Sequence, residues 1–157
     1  WHAVPELAKL EFSDFIRAEW QTRVDEQNFG VAQGGARWGT ELHYDRHPLT
    51  GARFETILAL RRAKNTGFLS LETRFANCLI LRHEDLTANP EGFVRFVSEH
   101  YGLARYQTFR PVAARRGRAR EGAFQPAGYA PLEAADHAFV WAQLDLAQEA
   151  QLGYAPT

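Results

Sequence analysis

The stretch from Asn77 to Gly102 constrains the fold of this chain more than any other. Its first part, Asn77-Cys78-Leu79-Ile80-Leu81-Arg82, is a continuous apolar run rather than an alternating one. Such a run predicts a strand buried on both faces, as in a parallel sheet covered by helices. Glu84-Asp85-Leu86 then leaves the strand, and Asn89-Pro90-Glu91 starts a helix. Asn89 is placed to accept from the first-turn amides, Pro90 supplies a preset φ, and Glu91 complements the helix dipole. Phe93, Val94, Phe96 and Val97 form its buried face, and Gly102 stops it in the left-handed conformation. Strand, turn and helix in that order predict an α/β domain.

The flanking sequence adds helices and loops. Phe12, Phe15, Ile16 and Trp20 recur at helical spacing, with Ser13 or Asp14 as the expected N-cap. Residues Asn28 to Gly51 carry five glycines and Pro48 without a sustained period, and read as a long irregular loop. A second helix is expected from about Arg53 to Leu71, weakened near its end by Gly67. A last helix is expected over Leu132 to Leu152, with Val140, Leu144 and Ala147 on one face and Gly153 as its stop. No repeat or linker divides the 157 residues, so a single domain is expected.

Composition excludes some partners. The net charge of −1 gives no global pull toward nucleic acid or anionic lipid. No apolar run reaches the roughly 18 residues needed to span a bilayer. The one cysteine, Cys78, forms no internal disulfide, which fits a reducing, cytoplasmic setting. The chain begins at Trp1 and holds no Met, so its N-terminus is expected to be processed, trimmed or incomplete.

Most catalytic signatures are absent: no phosphate-cradling glycine loop, no GxGxxG, no GxSxG and no HExxH. His43 and His47 stand four apart, but Pro48 and nearby glycines oppose a helix there and no further ligands complete a zinc set. Glu84 and Asp85 either cap the turn and following helix or face a site at a strand end; the capping role is preferred. Arg105, Arg110, Arg115, Arg116, Arg118 and Arg120 fall within sixteen residues with only Glu121 beside them. They read either as a solvated loop or as a loop closing over phosphate, with guanidinium forks on its oxygens and Gly117 admitting backbone amides. Nucleic acid is disfavoured, because few aromatics interleave these arginines.

On these residues the chain resembles the sulfotransferases of P-loop-like fold. Leu79 to Gly102, LILRHEDLTANPEGFVRFVSEHYG, is similar to that family's strand, Tyr-Glu-Asp-Leu, Pro and helix ending Leu-Gly. Residues 5 to 20, PELAKLEFSDFIRAEW, with 47 to 54, HPLTGARF, and 143 to 154, QLDLAQEAQLGY, agree in the same order. The resemblance implies a partial doubly wound α/β sheet lacking the N-terminal phosphate-binding strand, loop and helix. It implies transfer of a sulfuryl group from 3′-phosphoadenosine 5′-phosphosulfate (PAPS) to a hydroxyl or amine of a small-molecule or glycan acceptor. His83 stands where the family has a tyrosine near the adenine. Arg115-Arg116-Gly117 is the counterpart of a motif that holds the 3′-phosphate, and Thr108 and Phe109 fall where the adenine pocket is lined. A catalytic base is sought among His43, His47 and Glu41 or upstream. The rival expectations are another phosphate-handling transferase and a non-catalytic domain binding an anion or a partner.

Overall fold

The computed structural model describes residues 7–25, 29–104, 108–110 and 130–156. The chain divides into two compact units, one of Trp1–Ile80 with Leu132–Thr157 and one of Leu81–Pro131.

In the first unit, a 3₁₀ turn at Leu7–Lys9 leads into α1, Phe12–Phe15. Leu7, Phe15 and Ile16 are buried together, and Leu10, Phe12, Trp20, Ile57, Phe139 and Val140 pack around them. Each such side chain contributes roughly 1.5–3 kcal/mol when fully buried. The amphipathic pattern expected from Phe12 to Trp20 therefore finds its core, but the helix spans only four residues. The Trp20 amide donates instead to the Phe54 carbonyl at 2.9 Å, which draws the chain out of helical geometry. The expected N-cap is also corrected. Glu11 occupies that position without a side-chain bond, while the Ser13 hydroxyl donates to Asp136 at 2.8 Å.

The long loop has a short stem. Arg23 and Glu41 form an isolated antiparallel bridge, flanked by Val24 N–H to Thr40 O at 2.9 Å and Leu42 N–H to Thr22 O at 2.7 Å. A 3₁₀ turn, His43–Asp45, follows. The second helix, α2, spans Ile57–Arg74, starting later than expected because Thr56 caps it by accepting from the Ala59 amide. Gly67 does not end it.

The run Asn77 to Arg82 does not form a strand, and no sheet occurs among the described residues. The expectation of a partial doubly wound α/β sheet is thereby overturned; the described structure is helical. A strand exists only through hydrogen bonds to a neighbour. Here the backbone of Ala76 to Leu81 makes no backbone–backbone hydrogen bond among the described residues. Apolar composition alone does not supply that partner.

The last expected helix is two. Its first part is α5, Ala134–Gln143, and its second α6, Leu146–Gln151. The break lies at Leu144, whose ψ of 156° is extended, and Asp145 restarts the helix by accepting from Ala147 N–H and Gln148 N–H. An aspartate that captures amides two and three residues on competes directly with helix continuation. Both α5 and α6 pack against α2. Gly153 ends α6 at φ 78°.

In the second unit, α3, His83–Ala88, packs on α4, Pro90–Tyr101. The caps of α4 are those expected: Asn89 Oδ1 accepts from Gly92 N–H at 2.9 Å, and Gly102 sits at φ 62°. Two expectations change. Glu84-Asp85-Leu86 lies in a helix rather than a turn. The face expected to be buried is largely open, with Val94 42% and Phe96 47% exposed, and Phe96 stacks on His100.

Candidate functional site

The residues expected at the cofactor rim belong to the second unit. His83 is exposed at the start of α3, where its carbonyl accepts from the Thr87 hydroxyl at 3.0 Å. Thr108 is exposed and Phe109 half-buried. No hydrogen bond, ion pair or ring contact joins His83, Thr108 and Phe109. Arg115, Arg116 and Gly117 lie outside the described residues. Asp85 does not take the amide-capping role preferred for it: α3 has no side-chain cap, and Arg82 grips the Asp85 carboxylate with a fork at 2.6 and 2.8 Å. That hydrogen bonding holds the Asp85 carboxyl below its ordinary range.

A cleft of about 780 Å³ opens in the first unit, between the turn at His47–Phe54, the first half of α2 and the start of α6. Local chemistry builds its wall. His47 N–H donates to Ala52 O and Gly51 N–H to His47 O, both at 2.8 Å, with Gly51 at φ 70°. The His47 imidazole holds the same turn, accepting at Nδ1 from Leu49 N–H and Thr50 N–H at 3.3 Å each. With Nδ1 an acceptor, the neutral ring carries its proton on Nε2 and presents a donor.

Glu41 is held by two arginines. Arg53 reaches it with two bonds of 2.9 Å, and Arg46 adds bonds of 3.2 and 2.7 Å. The Arg53 hydrogen bonds first, then those of Arg46, pull its carboxyl down to about 2. A carboxylate so stabilised is a weak proton acceptor. Arg53 also holds Glu19 at 2.7 Å, so its charge is taken up by two acids. The third candidate, His43, is exposed at the start of the 3₁₀ turn.

The floor of the cleft is fastened to α2. Gln148 Nε2 donates to Arg62 O at 3.2 Å and to Thr66 Oγ1 at 2.9 Å, while its Oε1 is buried without a partner. Arg62 NH1 donates to Gln143 O at 3.2 Å. Beside the cleft, Arg61 grips Glu149 with bonds of 2.8 and 2.7 Å, and Asn65 adds one of 3.3 Å. Sequence reasoning missed Arg61, Arg62, Asp145, Gln148 and Glu149 as a group. One signal was available: Asp145-Leu-Ala-Gln148 has the spacing of a capping box inside the expected helix.

Among the described residues no cluster of His, Cys, Asp and Glu could hold a metal ion, and no helix is long and apolar enough to cross a membrane. No protein-family model, curated protein or solved structure matches the chain.

Proposed function

We propose that the chain takes part in transferring a sulfuryl group from PAPS to a hydroxyl or amine of a small-molecule or glycan acceptor. One observation carries this reading: three segments similar to sulfotransferase sequences occur in the family's order, at 5 to 20 with 47 to 54, at 79 to 102, and at 143 to 154. The proposal rests on these segments and not on a sheet. Two of them have well-defined local structure. The Asn-Pro start and Gly stop of α4 are both used as caps. The closing Glu149 and Tyr154 both meet Arg61, one through a paired fork and the other under its guanidinium at 5.3 Å.

In this reading, His83, Thr108 and Phe109 border the adenine, and Arg115 and Arg116 close over the phosphates. In-line attack on sulfur builds charge on the bridging oxygen of the leaving phosphate, which positioned cationic donors stabilise. The phosphosulfate loop of that family is not within the 157 residues. The reading carries a cytoplasmic location with it, which the single cysteine supports.

The test is calorimetric titration of the protein from its complete reading frame with adenosine 3′,5′-bisphosphate. Binding is expected, weakened roughly tenfold or more by Arg115→Ala with Arg116→Ala, since charge-assisted hydrogen bonds contribute about 1.5–3 kcal/mol each. Absence of binding, or equal affinity in the double variant, would remove the proposal.

A further inference from the structure

We propose that the cleft between the His47–Phe54 turn, α2 and α6 binds an uncharged, hydroxyl-rich ligand of the size of a monosaccharide unit. Its volume of about 780 Å³ falls in the range of small-molecule sites. The inference follows from which polar groups on its wall remain open once internal bonds are counted.

The open groups are mixed donors and acceptors. His47 Nε2 is a donor, because Nδ1 already accepts two amides. The Thr50 hydroxyl accepts from Ala52 N–H at 3.3 Å and keeps its own proton to donate. Asp145 spends Oδ1 on its two capping bonds, leaving Oδ2. Gln148 spends its NH₂ on α2, and its Oε1 is buried away from the open groups. Glu55 makes no hydrogen bond or ion pair among the described residues, and Arg62 uses a single N–H internally. Phe54, buried to 8% exposure, supplies the apolar element.

Charge selects among ligands. Arg53 is consumed by Glu41 and Glu19, so the free charges on the wall are Glu55, Asp145 and Arg62. Two acids against one base give a phosphate or sulfate no net attraction, and Arg62 opposes a simple cation. Hydroxyl groups, which both donate and accept, match every open group on the wall.

Binding is inferred from the cleft alone; only its description as an acceptor site would rest on the sulfuryl-transfer reading. The test therefore omits PAPS. The ¹⁵N-labelled complete protein is titrated separately with the methyl α-glycosides of glucose, galactose and mannose, with glucosamine and glucuronate as charged counterparts. At least one neutral glycoside is expected to shift the amides of Thr50, Glu55, Thr66 and Gln148. Glu55→Ala and Arg62→Ala should each weaken that ligand roughly tenfold, the loss of one charge-assisted hydrogen bond. Both side chains are exposed at the surface, and unchanged spectra elsewhere report an intact fold. The inference is overturned if no neutral glycoside shifts these amides, or if shifts fall only elsewhere. It is equally overturned if a charged counterpart binds more tightly than all three glycosides, or if both variants keep full affinity. Failure here leaves bisphosphate binding untouched, so the two proposals fail separately.

Discussion

Arg61 and Glu149, 88 residues apart, form a paired fork at 2.8 and 2.7 Å in which the carboxylate is 1% exposed. Asn65 donates to the same carboxylate, and Tyr154 lies under the guanidinium. The pair joins α2 to α6 and so holds one wall of the cleft against another. The Arg61 side chain is 40% exposed, which moderates its desolvation.

Arg61→Ala should therefore destabilise the first unit by about 2 kcal/mol, below the 3–5 of a fully buried pair, because it strands a buried carboxylate. Glu149→Leu should cost less, since the remaining Arg61 can turn toward water. Urea denaturation of both variants and of the double variant measures the coupling. Equal single costs with no coupling would contradict the arrangement.

Acid should weaken the same unit through Glu41. Its folded value of about 2 lies below the ordinary 4.5, so its contribution is complete above about 4.5 and is lost as pH falls toward 2. Asp45 adds in the same direction: burial opposes its charge, yet Lys64 and Thr22 hold its carboxyl below the usual range. Stability measured across that window should fall steadily. Glu41→Gln should lower stability at neutral pH and flatten the decline below pH 4.5.

Gly92 is expected to resist the usual benefit of alanine in a helix. Gly-to-Ala exchange inside helices stabilises by about 0.8–1 kcal/mol. A Cβ at Gly92 would fall 2.3 Å from Asn89 Nδ2, so it displaces the side chain that caps α4. The lost cap costs about 1 kcal/mol, which cancels the gain. Gly92→Ala should leave the denaturation midpoint nearly unchanged, whereas the same change in an Asn89→Ala background should raise it.

Asp145→Ala should cost about 1 kcal/mol by removing the α6 cap. It should also release Leu144 toward helical geometry, so helical ellipticity should rise or hold while stability falls. A fall in both would mean that the cap is not what separates α5 from α6.

Short-range features of this chain were legible from its residues. Asn89, Pro90 and Gly102 declare the ends of α4, and Gly153 the end of α6, because capping bonds join residues only a few positions apart. The amphipathic pattern of Phe12 to Trp20 likewise located the core, though not the four-residue length of its helix. Asp145 carried a cap signal that lay hidden inside a helical pattern. Of the candidate site residues, His83, Thr108 and Phe109 were placed by resemblance, and among the described residues no hydrogen bond, ion pair or ring contact joins them.

Tertiary structure decided the rest. A helix satisfies its backbone within itself, whereas a strand needs a partner that no local pattern guarantees, and Asn77 to Leu81 therefore makes no backbone–backbone hydrogen bond among the described residues. Burial of Glu149 against exposure of Glu55 is equally invisible in sequence, because each glutamate's environment depends on residues distant along the chain. The cleft exists only because α6 returns to pack on α2, bringing residues 145 and 148 beside residues 47 to 66.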